Sequence, residues 1–517
     1  MRTAARTKGK RVAVSNAITI PSPVGGWNAR DPLPSMGVAD AVSLTNWFPM
    51  TTECRVRQGC STWATGLPGQ VESLFVYSGG NTEKMFAVAS NAFYDVTSTG
   101  AVGAAVVSGL TNSRWQWANV ATSGGNFMYV ANGVNTPYLY NGTTWTSITG
   151  ASTPAITGVT TTTLNNPITF KTRVFFIQNN SLKTWYLPTS SVGGAANPID
   201  ISAVCQLGGY IVDHLTWTID AGSGVDDYYV IVTSMGEIVV YQGTDPSSSS
   251  TWALKGVWRL GHPVGGRCMF KLGGDVLLIT QDGLLPLSGA LQSSRVNPRV
   301  ALTDKIQQAV SASVGAYGEN FGWQLLYFAR ENMLIMNVPV QEGQSQVQYV
   351  MNTITKSWCD FSGWEANCWA LYNDQPYFGG SGFVCQAWDG QSDDGDNINA
   401  NALQSFNNYN SADQKRFTMM QPIFRSNGSP AIYSGLNMDF QVDLPASPLS
   451  FATPSYGVWD VGIWDVALFG GDLSVSQNWQ GVSGVGRHAA IVMKTATNSI
   501  DTRWVSTTLV FETGGIL

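Results

Sequence analysis

Charge is scarce in this chain. Asp, Glu, Lys and Arg make up 12% of its 517 residues, and the formal net charge is −6. A protein that clamps nucleic acid along its length needs a basic balance to release counterions from phosphates, and here the balance is acidic. Histidine is scarcer still, with only His214, His262 and His488. His214 adjoins Asp213 between apolar strand residues, His262 precedes Pro263 in a turn, and His488 follows Arg487 in a Gly-rich loop. Each reads as structural or exposed. No Ser occupies a G-x-S-x-G elbow, so a hydrolase of that type has no support. The cysteines Cys54, Cys60, Cys205, Cys268, Cys359, Cys368 and Cys385 are odd in number and never spaced CxxC. With so few histidines to help, a zinc site is not expected. They read as reduced, mostly buried thiols of a chain made in a cytoplasm. No apolar run approaches the roughly 18 residues that span a bilayer as a helix, so no membrane span is expected. Val12 to Ile20 is too short and too polar for a signal-peptide core.

What is abundant is Gly (55), Trp (19), Tyr (18) and Phe (21), with Ser, Thr and Asn between them. That is the vocabulary of short strands and tight turns. A loose hairpin phrase recurs about every fifty residues: alternating strand, Gly/Asn/Asp turn, second strand, then an aromatic beside Gly. The clearest copy is Gly124-Gly125-Asn126-Phe127-Met128-Tyr129-Val130-Ala131, closing on Tyr138-Leu139-Tyr140-Asn141-Gly142 and Trp145. Others run from Asp227 through Tyr241 to Trp252, and through Tyr377-Phe378-Gly379-Gly380 to Trp388-Asp389-Gly390. One sheet cannot bury both its faces alone, so such a period implies stacked or radially arranged units. Candidate units begin near Gln70, Ser113, Pro167, His214, Gly266, Glu319 and Ala366. The fold class predicted is all-β, a propeller of six or seven blades. One stretch departs from the pattern: Leu302, Ile306, Ala309 and Val310 share a helical face, with Thr303 as N-cap. A short surface helix between blades is expected there.

The organisation follows from composition. Residues 1–20 read as a flexible arm whose start carries Arg2, Arg6, Lys8, Lys10 and Arg11 without an acid. Those five are the candidate contacts for DNA or an acidic partner. Residues 21–67 hold several prolines among Trp27, Trp47, Phe48 and Trp63 and read as an extended aromatic strap. Residues 68–396 are the propeller and 397–517 a C-terminal β domain.

The familiar motifs of binding and catalysis do not fit this chain. Asp389 to Asp396 is an acidic turn, but Gln391, Asp394 and Ala400 occupy EF-hand positions that need a ligand, a glycine and a bidentate acid. A solvated acidic loop is the expectation. Asp boxes and repeated WD40 signatures are missing, and Gly481 to Gly486 lacks dinucleotide-binding spacing. No catalytic residue, cofactor or metal ligand is expected.

Asn46-Trp47-Phe48-Pro49, followed by Arg55-Val56-Arg57-Gln58-Gly59-Cys60-Ser61-Thr62-Trp63 and Leu67-Pro68-Gly69, resembles the opening of tail nozzle proteins of short-tailed bacteriophages. This is the tail tubular protein B, or tail hub, family. The Tyr377 to Gly395 passage, the helix at Leu302 to Val310 and the closing strand Arg503 to Glu512 are similar too. The resemblance implies a non-enzymatic virion component, assembled in the bacterial cytoplasm, that forms a hexameric ring with copies of itself, its propeller projecting from a β-rich platform in which the strap of 21–67 and the domain of 397–517 meet. Its implied partners are head-to-tail adaptor proteins, tail fibres or tailspikes, and genomic DNA passing through the lumen during ejection. The alternative is a carbohydrate-binding or carbohydrate-cleaving propeller that recognises a host receptor.

Overall fold

The computed structural model describes residues 15–220, 225–292, 300–443 and 473–514, with backbone alone for Ile219, Asp220, Val225 and Asp226. The basic arm bearing Arg2, Arg6, Lys8, Lys10 and Arg11 lies outside the described residues. The chain divides into two compact units. One is Gln58–Lys356 with Asp360–Asp396, and the other is Met1–Arg57 with Ser357–Cys359 and Asn397–Leu517.

In the first unit, seven antiparallel groups of three or four strands follow one another, as in a β-propeller. Their innermost strands are the second half of Cys60–Ser78, then Gln116–Thr122, Leu164–Phe170, Ile211–Asp220, Met269–Leu272, Gln324–Phe328 and Cys368–Tyr372. Each packs against the next and the last returns to the first. These blades, numbered one to seven in that order, begin close to the expected unit starts. The largest difference is Glu319 against Gln324.

Alternation explains the repeat. In Gly125–Ala131, Tyr129 and Ala131 enter the core between blades two and three, while Met128 and Val130 enter the core between blades one and two. In blade four, Tyr229 and Ile231 face blade three, and Val230 and Val232 face blade five. Both faces of these second strands are apolar, so each sheet needs a neighbour on either side. The closing aromatics of the phrase brace the outer edge. Trp145 lies tilted on Tyr140 at 4.8 Å, and Trp252 stacks on Tyr241 at 5.4 Å.

The ring closes through a single long strand, Cys60–Ser78. Its first part pairs with Ser381–Ala387 of blade seven, and its second part pairs with Glu83–Ala89 of blade one. Cys60–Thr65, at the end of the predicted strap of 21–67, thus supplies the outer strand of the last blade. The acidic loop is also more than a solvated turn. Thr62 donates from N–H and hydroxyl to Asp394, Ser61 donates to Asp389, and Trp364 donates to Asp393. The loop thus fastens the closing strand.

Between blades five and six the helix is Gln307–Tyr317, preceded by a 3₁₀ turn at Asp304–Ile306. It starts later than the pattern of apolar residues predicts, and Thr303 does not cap it. The Thr303 hydroxyl is buried and accepts from the Leu284 N–H of blade five, so a tertiary bond replaces the local cap. Among the described residues no helix is long and apolar enough to cross a membrane.

The second unit is built from both ends of the chain. Thr502–Thr513 pairs along Lys415–Ser426 on one side and along Ser15–Pro21 on the other. Asp40–Thr45, Ile398–Gln404, Ala489–Thr497 and Ala431–Met438 form a second antiparallel array. Trp47 meets Trp504 edge to face at 6.0 Å, and Tyr409 packs on Phe417 and Phe511, giving this unit its own core.

Candidate functional site in the axial channel

The inner strands of blades two to seven border a funnel of about 560 Å³ along the propeller axis. A second space of about 250 Å³ opens beyond it, lined by Asn112, Arg114, Asn132, Asn165 and Phe321 among others. Gln116, Gly266 and Arg267 border both. The channel is therefore narrowed at Arg267, whose side chain is part-buried and reaches across it.

Arg267 enters from blade five at the start of its inner strand, after Gly265 and Gly266. Its Nε donates to Gln116 Oε1 at 3.3 Å and its Nη1 to Gln324 Oε1 at 3.3 Å. Its Nη2 donates to Ser73 Oγ at 2.8 Å, to the Trp115 carbonyl at 3.0 Å and to the Glu72 carbonyl at 3.1 Å. The Phe321 ring lies 5.1 Å from this guanidinium and 4.4 Å from that of Arg114, which pairs with Glu72 and Glu342. One planar fork thus joins blades one, two, five and six. Gln324 passes the link to blade seven by exchanging two bonds with the Trp369 backbone. Desolvation in this narrow waist lowers the Arg267 pKa from its ordinary value.

Asp213 of blade four is the second junction. Its carboxylate accepts from the Met269 N–H of blade five at 3.0 Å, from the Asn166 amide of blade three and from the His214 N–H at 2.8 Å. The Cys268 thiol lies at 3.8 Å. Burial pushes this carboxyl up to about 7 while its donors pull the other way. His214 is fully buried beside it, and burial holds its pKa down to about 4. Its Nε2 is 2.6 Å from the Asn166 carbonyl, which can only accept, so Nε2 carries the proton. Nδ1 then accepts from the Tyr229 hydroxyl at 2.6 Å. The imidazole is fixed neutral with both nitrogens used.

The two junctions together involve all seven blades. Chemically the arrangement favours rigidity. Asp213 is the one carboxylate among the described funnel-lining residues, and Lys271, bonded to Thr218, the one amine. Hydrolysis of a glycosidic bond commonly employs two carboxyl groups flanking it, at about 5 to 9.5 Å from each other. What the funnel offers a solute is amide groups and the flank of Trp117.

The other histidines stand apart from this network. His262 Nδ1 is 2.9 Å from the Ser234 carbonyl, and His488 packs on Phe440 at 4.8 Å. Among the described residues no group of His, Cys, Asp or Glu could hold a metal ion, and the seven cysteines are free thiols. Arg267 escaped sequence reasoning, although one signal was present. It is a lone charge between two glycines and an apolar strand, Gly265-Gly266-Arg267-Cys268-Met269-Phe270.

No family model matches the sequence, and no curated protein does. Solved structures do resemble the fold. The chain is similar to BBS1N in its complex with ARL6DN, at 9% identity and a TM-score of 0.41, over 65% of this chain and 99% of that one. It is similar to YCF48 from Cyanidioschyzon merolae at 12% identity and a TM-score of 0.34, over 63% of this chain and 98% of that one. An exo-beta-1,3-galactanase from Phanerochaete chrysosporium matches at 6% identity and a TM-score of 0.24, over 66% and 94%. None of them assigns a family. At these values no ligand, partner or activity passes to this chain.

Proposed function

We propose that this chain is a structural subunit of a short-tailed phage virion, a tail nozzle that forms a ring and continues the DNA channel. In that role it helps retain the genome and then release it, and it performs no catalysis. The observation that carries the reading is the convergence of both chain ends on one β unit, with Ser15–Pro21 paired along Thr502–Thr513. A platform made of N- and C-terminal segments is what the family resemblance implies.

The acidic balance fits a conduit, because a lumen without excess cations lets the phosphate backbone slide. The constriction at Arg267 adds a constraint: DNA would pass through a lumen enclosed by several copies, not along the axis of one propeller. The rival reading, a carbohydrate-binding or carbohydrate-cleaving propeller, would use the funnel around Trp117 and Lys271. Negative-stain electron microscopy of the purified protein, alone and with tail fractions, separates the two. Rings that join tail fractions support the nozzle. Single particles that ignore tail fractions and bind a glycan array would overturn it.

A further inference from the structure

In the unit built from the chain ends, one sheet has a face that nothing among the described residues covers. Cross-strand register places Met419 beside Val510 and Ala17 on that face, Val475 at the end of a row with Arg425, Arg503 and Arg55, and Val485 at the end of a row with Arg416 and Glu512. Val475 is 64% exposed, Val485 59% and Met419 41%. The opposite face holds Phe417, Met420, Phe424, Trp504 and Leu509, all buried. Apolar side chains on the outer face of a sheet are a cost in a monomer and an asset at an interface.

The edges of the sheet carry the stronger argument. Among the described residues, Ser474–Gln477 stands last in the strand order at one side, and Ser15–Pro21 pairs only with Thr502–Thr513 at the other. Neither strand contains a charged residue, and the one proline, Pro21, comes at the very end. Monomeric sheet proteins commonly guard such edges with Lys, internal Pro or a bulge, because unpaired N–H and C=O groups recruit other strands. Two unguarded edges at opposite sides of one sheet are complementary to each other.

We propose that these edges pair between copies of this chain, Ser15–Pro21 of one against Ser474–Gln477 of the next, which brings the exposed Val475 of one copy beside the Met419–Val510–Ala17 row of the other. The contact joins different patches on the two copies, and such head-to-tail contacts close into a ring when the rotation permits. The proposal deepens the ring-forming reading and rests on it. It names the surface, which that reading leaves open.

The test uses the full chain, followed by native mass spectrometry and sedimentation velocity. Ala17→Lys with Val475→Lys puts like charges on both edges and should weaken association roughly tenfold or more. Ala17→Glu with Val475→Lys places opposite charges there and should restore assembly. Ile354→Lys, an equally exposed apolar position of the propeller, should leave assembly unchanged. Thermal melts of all variants check that folding is intact. If the double-lysine variant assembles like the wild type, the edges are the wrong surface, while the ring reading survives. If the wild type stays monomeric even with tail partners, the ring reading falls and this proposal with it.

Discussion

Replacing Asp213 by Asn should tilt the dependence of stability on pH in a direction fixed by its neighbour. In the folded chain the Asp213 carboxyl titrates near 7, against 3.8 for an ordinary aspartate. The native state therefore keeps a proton that the unfolded chain has already lost. Its contribution is full below pH 3.8 and is lost as pH rises through about 7. His214 works in reverse. Unfolded it takes up a proton at 6.5, folded only near 4, so its contribution is full above 6.5 and is lost as pH falls toward 4.

Each slope is about 1.4 kcal/mol per pH unit, and between pH 4 and 6.5 the two have opposite signs and nearly cancel. Asp213→Asn removes one partner. The difference in stability between this variant and the wild type should then rise with pH by roughly 2.7 kcal/mol over two units. His214→Gln should show the mirror image, losing ground against the wild type as pH rises. Each variant also carries a pH-independent cost for altered hydrogen bonds, of about 1 to 3 kcal/mol, which shifts the line without tilting it. Urea midpoints at about pH 4.5, 5.5 and 6.5, converted with measured m-values, give the slope. A flat difference for Asp213→Asn would refute the reasoning: the donors would then outweigh burial, and the carboxylate would be ionised throughout.

Ring closure and the channel waist give two further expectations. A Cβ on Gly59 would run into the Ser392 carbonyl oxygen, where Gly59 N–H bonds Gly390 and Cys60 N–H bonds Ser392. Gly59→Ala should cost about 3 kcal/mol, read as an earlier urea midpoint, and an unchanged midpoint would show the loop to be slack. Arg267→Met strands acceptors on three other blades and should cost about 2 to 4 kcal/mol, whereas Arg267→Lys, keeping charge but not the fork, should cost about half as much. Faster hydrogen exchange in the Gln116 and Gln324 strands should accompany both; protection equal to wild type would deny Arg267 its joining role.

Most of the propeller was legible because its determinants are local. Met128 and Tyr129 point to opposite cores within one strand, so alternation alone reveals a sheet buried on both faces. Gly turns and the closing Trp145 and Trp252 mark the hairpins in the same way. Ring closure was not legible. Cys60 to Thr65 pairs with residues more than three hundred positions away, and nothing in its own pattern separates a closing strand from a strap. Thr303 was misread for a related reason: its hydroxyl has a good local use as a cap and a better distant one at Leu284.

The channel residues show a further limit. Asp213 and His214 adjoin in sequence, and an acid that orients a histidine is one element of a general base. In the fold both imidazole nitrogens are consumed by Asn166 and Tyr229, and the carboxylate spends its acceptors on neighbouring blades. A base needs a free lone pair facing a substrate. Here the one available lone pair, on Nδ1, already receives the Tyr229 proton. Asp213 and His214 therefore act in the structure as fasteners. They hold the inner strands of blades three, four and five together, much as Arg267 holds blades one, two, five and six. A propeller fastened this way across its axis resists separation of its blades, because each fastener ties buried polar groups of several inner strands to one another.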